Sequence, residues 1–307
     1  MKLIIQPDDG LIPILQGIRK ARRQIDIVIF RFDRSDLEKA LEAAVARKVV
    51  VRALIAHTNS GGEKLLRKLE ARLLAAGITV ARTADDLPRY HGKMMVADGR
   101  LFVLGFNYTK LDLEKSRSFG VVTTDRKLVR EAAALFEADC ARQPYNPVDD
   151  RLVVSPESSR EVLTTFIKRA RKQLLVYDEK VTDNHVQHVL QQRARAGVEI
   201  RIIGRMEKPP DTIAVRKLAG LRLHVRAMIR DGATAFVGSQ SLRRLELDGR
   251  REVGILISNA SVVRKMQAVF EDDWKRAGGK PLAVPEALKT EDKAEKQKDE
   301  EKQKAAS

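Results

Sequence analysis

The chain predicts an α/β fold built from two pseudo-twofold-related halves, each a mixed β-sheet flanked by helices. Three observations carry that expectation. Short β-branched apolar runs alternate with helix-length runs through most of the 307 residues. The alternation is written twice, landmark for landmark. Between the copies lies a turn-rich bridge, Gln143-Pro-Tyr-Asn-Pro-Val-Asp-Asp150.

In the first copy the apolar runs 25–30 and 49–55 read as strands, 63–76 as a helix, and 78–82, 92–97, 100–105 and 119–123 as further strands. The second copy repeats the order. Ala21-Arg-Arg-Gln24 leading into Ile25-Asp-Ile-Val-Ile29 returns as Ala170-Arg-Lys-Gln173 leading into Leu174-Leu-Val-Tyr177. Ala46–Arg52 returns as Ala194–Arg201, Arg117-Ser-Phe-Gly as Arg251-Glu-Val-Gly, and Phe136-Glu-Ala-Asp-Cys140 as Phe270-Glu-Asp-Asp-Trp274. Ala21 and Ala170 stand 149 residues apart, His91 and His224 133, Arg117 and Arg251 134. The second copy has therefore lost residues mainly opposite 57–90, and the first has lost one between Asp98 and Gly120. The domains expected are a first half over 1–145, a second over 151–276, and a charged tail over 278–307 that is flexible because it has no apolar period with which to bury a core.

Lys and Arg number 58 against 42 acids, a formal charge of +16. Lys289 to Ser307 is balanced, so the excess belongs to the folded body. Such a body favours polyanionic partners: nucleic acid, an anionic membrane surface or a phosphorylated substrate. Aromatics are 5% of the chain and are not interleaved with the basic runs, which argues against a stacking platform for single strands. Cys140 is the only cysteine, so an intramolecular disulfide is excluded; its place in a helical run suits a buried structural thiol. No apolar stretch reaches the length of a membrane span, and the N-terminal residues turn polar too soon for a secretory signal. The expectation is a soluble, cytoplasmic protein, with peripheral contact to an anionic membrane left open and no indication of oligomeric state.

The chemistry sits in one further repeat. His91-Gly-Lys93-Met-Met-Val-Ala-Asp98 is echoed by His224-Val-Arg226-Ala-Met-Ile-Arg-Asp231, each followed by an apolar run and a glycine. Residues two apart on a strand share a face, so His91 would point with Lys93 and His224 with Arg226. Asp98 and Asp231 fall on the opposite face and suit structural anchoring of the Asp-Gly turns that follow. A neutral imidazole displaces an alcohol from a phosphodiester if cations hold the nonbridging oxygens and an acid protonates the leaving oxygen. Two such motifs make one composite site. No metal or cofactor is required, since Lys93 and Arg226 supply the electrostatics. His185 and His188, near Asp183, lack a fourth ligand, and no metal site is assigned to them. The basic runs Arg19, Lys20, Arg22, Arg23 and Lys168, Arg169, Arg171, Lys172 would form a phosphate-attracting rim if they flanked the cleft.

The paired motifs resemble the phospholipase D superfamily, whose two His-x-Lys-x4-Asp segments form one site between duplicated halves. The resemblance covers about residues 1–276. The first motif matches fully; the second carries Arg226 for lysine. Of the family's downstream Gly-Ser-x-Asn and glutamate, the first half has Gly105-Phe-Asn107, one residue short, and Ser118 for the glutamate; the second has Gly238-Ser239-Gln-Ser241 and keeps Glu252. The resemblance implies phosphodiester cleavage through a phosphohistidine, either phospholipid hydrolysis or phosphatidyl transfer. His91 would be nucleophile and His224 general acid, with Lys93, Arg226 and Glu252 completing the catalytic set and Asn107, Ser118, Ser239 and Ser241 beside the substrate. The same site could serve a nucleic-acid phosphodiesterase, or a non-catalytic binder of phosphorylated ligands.

Overall fold

A computed structural model describes residues 1–59 and 63–277; the proposed tail lies outside them. The first half runs β1 (Lys2–Gln6), α1 (Ile12–Lys20), β2 (Gln24–Ile29), α2 (Ser35–Ala46), β3 (Val50–Ile55), α3 (Glu63–Ala75), β4 (Thr79–Arg82), β5 (Met94–Ala97), β6 (Arg100–Leu104), α4 (Lys110–Glu114), β7 (Ser116–Thr123) and α5 (Arg126–Ala141). The second runs β8 (Leu152–Ser155), α6 (Ser159–Lys168), β9 (Gln173–Val181), α7 (Asn184–Arg195), β10 (Glu199–Met206), β11 (Ile213–Arg216), β12 (Arg222–Leu223), β13 (Arg226–Arg230), β14 (Thr234–Gly238), α8 (Arg244–Asp248), β15 (Glu252–Ile257) and α9 (Ala260–Arg276).

The first sheet has the order β1-β7-β6-β5-β2-β3-β4, and the second, read from the opposite edge, β8-β15-β14-β13-β9-β10-β11. Element for element these are the same order, so the duplication read in the sequence is a duplication of topology. β2, β3 and β4 are parallel, the other pairings along that order are antiparallel, and β12 of the second half joins the sheet parallel to β7. Helix α3 has no counterpart: β10 passes to β11 through residues 207–212 alone, where the second copy had lost residues.

Aspartate or asparagine starts the long second-tier helices. Asp125 accepts from Lys127 and Leu128 N–H, Asp183 from Val186 N–H and Asn259 from Val262 N–H, satisfying donors the first turn leaves orphaned. Apolar stripes then fix where each helix packs. One core lies between the first sheet and α1, α2 and α3, another between the second sheet and α6 and α7. The third and largest is shared: Phe119, Val121, Leu135 and Phe136 of the first half pack in one cluster with Val154, Tyr177, Val237, Ile255 and Phe270 of the second. The halves are thus joined through buried apolar surface, each such side chain worth about 1.5–3 kcal/mol of burial.

Two buried ion pairs repeat across that junction. Arg117 of β7 donates to Asp273 of α9 (2.9 and 3.2 Å) and to the Gln6 carbonyl (2.9 Å). Its counterpart Arg251 donates to Asp139 of α5 (3.1 Å) and to the Ser155 carbonyl (3.0 Å). Each arginine therefore grips the terminal helix of the other half. The repeated Arg-x-x-Gly and Phe-x-x-Asp landmarks are the two ends of these pairs.

Candidate active site

The sequence puts each motif histidine on a strand with its cation; in the structure the histidines lie outside the strands of their own sheets. β5 begins at Met94 and β13 at Arg226, just after each histidine. Tyr90 forms a bridge with Arg251, and the His91 and Gly92 N–H groups donate to the Arg251 carbonyl (2.7 and 3.0 Å). A side chain at Gly92 would place its Cβ 2.8 Å from Val253, which is why the approach needs glycine. In the mirrored arrangement β12 pairs with β7, and His224 N–H donates to the Arg117 carbonyl at 3.2 Å. Each motif thus leaves its own ladder to pair with the other half, carried by the backbone of the arginine that locks the halves together.

This crossing gives His91 its partners. Its Nδ1 lies 2.9 and 3.1 Å from the carboxylate oxygens of Glu252, which is wholly buried. Lys93 Nζ stands 2.7 Å from His91 Nε2. An ammonium can only donate, so Nε2 is the acceptor and Nδ1–H points to Glu252. The imidazole is then in the tautomer whose Nε2 lone pair can attack. Phe30 packs edge-on against the ring, with centroids 4.6 Å apart, and fixes its plane.

His224 is held differently. Ser118 stands where the first half lacks a glutamate, and its Oγ donates to the His224 carbonyl at 3.4 Å, not to the ring. The carboxylate facing the ring belongs to Asp112 of α4, 3.5 Å from Nδ1 and beyond hydrogen-bond length. Asp112 is fixed by the Asn107 N–H and side-chain amide (2.7 and 2.8 Å) and by Arg222 (2.9 Å). Burial, then the charges of Arg222, Arg226 and Lys93, push the His224 pKa well below its ordinary value, so the ring is neutral in the unliganded site.

Two imidazoles, their carboxylates and a cation for each converge from both halves at one place. The family model described as "Cardiolipin synthase, PLD-like domain" matches residues 14–140 and 151–274. The chain belongs to the phospholipase D superfamily. A probable cardiolipin synthase of Bacillus subtilis is 22% identical over 90% of this chain and 66% of its own length. Among solved structures, phosphatidylserine synthase of Haemophilus influenzae superposes with a TM-score of 0.70 at 12% identity, covering 99% of this chain and 93% of that one. Polyphosphate kinase of Porphyromonas gingivalis gives 0.74 at 20% identity, covering 89% and 47%. The chain therefore spans just under two-thirds of the curated relative and about half of the kinase. At these identities the structural likenesses establish the fold.

Measured against the superfamily's motifs, the remaining residues divide clearly. The Gly-Ser-x-Asn segment of the first half is not shortened. Lys93 and Leu104 pair as Arg226 and Gly238 do, and Gly105 N–H donates to Phe119 as Ser239 N–H does to Val253. The missing residue is in the turn between β5 and β6, Asp98-Gly99 against Asp231-Gly232-Ala233. Leu104 thus occupies the first glycine's place. Ser239 Oγ exchanges hydrogen bonds with Val253 (3.3 and 3.1 Å), and Ser241 Oγ donates to buried Asp178. With Asn107 on Asp112 and Ser118 on His224, the four residues expected beside the substrate brace the site's framework; Asn107 Oδ1 alone among their side-chain atoms is buried without a partner. Arg226 does not copy Lys93: it donates to its own motif's His224 carbonyl (3.2 Å) and lies 3.8 Å from Glu179.

Asp98 and Asp231 sit at the far ends of β5 and β13 with φ of 51° and 54°. Asp98 accepts from Arg22, Arg23 and Gln24 N–H (2.9–3.0 Å), and Asp231 from Arg171, Lys172 and Gln173 N–H (2.7–3.1 Å). The basic runs beside those amides consequently lie at the opposite ends of the strands from the histidines and do not flank the cleft. His57 lines a cavity of about 280 Å³ with Asp85, Asp86, Arg89 and Tyr90, whose hydroxyl donates to Asp86 at 2.8 Å. Asp183 is engaged by Arg160 and the α7 N-terminus, and among the described residues no cluster of three or more acidic, histidine or cysteine side chains is arranged for a metal. Burial pushes the Cys140 thiol up to about 12, away from nucleophilic use.

The sequence reading missed Asp112 and Arg222. A signal existed: Asp112 stands 134 residues before Glu246, and Arg222 as far before its histidine as Arg89 before His91.

Proposed function

We propose that the chain is a phospholipase D-type enzyme that breaks a phosphodiester bond of a phospholipid and passes the phosphatidyl group to water or another alcohol. The observation that carries this reading is His91, poised between Glu252 on Nδ1 and Lys93 on Nε2, with His224 crossing from the other half. His91 Nε2 attacks phosphorus as Lys93 moves from the ring to a nonbridging oxygen, with Arg226 on the phosphate's other side. The phosphorus–oxygen bond to the departing alcohol breaks, and His224 gives that oxygen a proton. The phosphohistidine on His91 is then opened by water or an alcohol whose proton passes to His224, restoring both rings. Glu252 stabilises the imidazolium that forms on His91, and Asp112 faces the His224 ring as it takes up a proton. The arriving phosphate offsets the cations that hold His224 neutral, so substrate itself favours charging the acid.

The phospholipid class is supported by the family model's own description and by the likeness to a probable cardiolipin synthase. Among the described residues no helix is long and apolar enough to cross a membrane, and a basic body suits peripheral contact with an anionic bilayer. The charge of +16 also favours a second reading, a nucleic-acid phosphodiesterase using the same residues. Incubation with liposomes or a labelled oligonucleotide in EDTA, followed by trapping of acid-labile phosphate on denatured protein, separates them. The lipid reading requires the label from phospholipid, on His91. Label from the oligonucleotide alone supports the nuclease, and none from any diester, a chromogenic one included, leaves a binder.

A further inference from the structure

The end of the second half farthest from the histidines holds a cavity of about 540 Å³ lined by Lys168, Arg169, Arg171, Arg193 and Arg230, with Asp231, Ala233 and Thr234. Arg230 is four residues beyond Arg226 on β13, about 13 Å along the strand from the catalytic end. Elsewhere Arg34, Arg72, Arg151, Arg160 and Arg201 are paired with carboxylates. Among the described residues, the side chains of Lys168, Arg169, Arg171 and Arg193 have no ion pair or hydrogen bond, and Arg193 Nε is buried without a partner. Thr234 Oγ1, in the same wall, is also buried and unbonded. The single carboxylate of the lining, Asp231, is spent on three backbone N–H groups.

Cations at a helix C-terminus often serve only its dipole. Arg230 does so, donating to the Phe166 carbonyl at 3.2 Å and stacking over the Phe166 ring. In the first half Arg47 does the same work, donating to Ile18 and Ala43 carbonyls (both 3.0 Å). The other four cations of the second half make no such bond. The residue the second copy has in excess, in the turn Asp231-Gly232-Ala233, forms part of the cavity wall. Five cations gathered around a concave space with one carboxylate repel one another, and an anion inserted among them lowers that cost.

We infer that this cavity is a second anion site, which takes a phosphate group through Arg169, Arg171, Arg193 and Lys168, separate from the catalytic centre. The ligand is a phosphate monoester or inorganic phosphate, either free or as the headgroup of an anionic lipid. Arginine forks match phosphate oxygens in pairs.

The full chain is titrated with inorganic phosphate by calorimetry at ionic strength matched with chloride. Arg169→Gln/Arg193→Gln, both partly exposed positions, should bind phosphate at this site about tenfold more weakly, with turnover of a chromogenic diester unchanged. His91→Ala should keep the site, so failure of the catalytic proposal would leave this measurement intact. The charge-matched control Arg19→Gln/Lys20→Gln should bind as the parent does. An isotherm for Arg169→Gln/Arg193→Gln equal to the parent's, or an equal loss in the control, overturns the inference. Flotation with phosphatidic acid in phosphatidylcholine vesicles identifies the source. Parallel loss in the cavity variant assigns the lipid headgroup, and unchanged flotation beside weakened phosphate binding assigns the free anion.

Discussion

Replacing Glu252 by glutamine tests the mechanism at its most constrained point. Glutamine keeps the shape of a wholly buried side chain but removes the charge that His91 Nδ1–H meets at 2.9 and 3.1 Å. As Nε2 bonds to phosphorus the ring becomes cationic, and a charge-assisted hydrogen bond of about 1.5–3 kcal/mol becomes a neutral one. The difference is about 1–2 kcal/mol, so at 1.36 kcal/mol per tenfold kcat should fall roughly 5- to 30-fold. KM should hardly move, because Glu252 lies behind the ring. Stability should survive, since Arg250, 3.7 Å from Glu252, keeps Glu246 at 3.1 Å. The cost is then about 1–2 kcal/mol, below the 3–5 expected when a buried charge is stranded. Steady-state turnover of a chromogenic diester, with thermal unfolding in parallel, measures both. A kcat within twofold of the parent in a folded protein would refute the reasoning, as would a loss confined to KM.

The low pKa of His224 has two consequences of opposite kind. Free enzyme must carry that proton to act as acid, so kcat/KM should decline as pH rises from the acid side through neutrality, and Asp112→Asn should move that limb further to acid. For stability the folded value lies below the unfolded one near 6.5, so the unfolded chain binds the extra proton and stability falls as pH drops below about 6.5. Unfolding midpoints between pH 4 and 8 should lose part of that dependence in His224→Gln. Asp273→Ala strands the Arg117 guanidinium in the junction and should cost about 3–5 kcal/mol, some 6–20 °C in midpoint; a change within 2 °C would show the inter-half pair to be dispensable. Cys140 is only half-buried, but its thiol is pushed up to about 12, so at pH 8 it should react with a thiol reagent much more slowly in native protein than in the unfolded chain, and equal rates would contradict that shift.

The repeat was legible because it is written in local signals. Apolar period, helix ends and glycine positions recur at nearly constant offset, and both sheets consequently share one strand order. Arg117 and Arg251, Asp139 and Asp273 were visible as landmarks, without any sign that they bond crosswise. Asp112 is singled out by the repeat offset as the counterpart of Glu246, but the offset does not pair it with His224. It lies on a five-residue helix outside both motifs and reaches the ring only because β12 is laid along β7. Placing the missing residue beside Asn107 was an error of alignment that strand register corrects: pairing of Lys93 with Leu104 moves the gap to the turn.

His91 and Lys93, His224 and Arg226 follow from residue order alone, since two-residue spacing on extended chain aims side chains together. The duplication likewise implied that neither motif suffices. Which carboxylate serves which histidine depended on contacts between residues more than a hundred positions apart, His91 with Glu252 and His224 with Asp112. Periodicity reports only what a residue shares with its near neighbours, whereas these pairings exist because each motif abandons its own sheet for a strand of the opposite half. The same distinction separates the basic runs, plain in the sequence, from their position at the ends of the strands remote from the motif histidines.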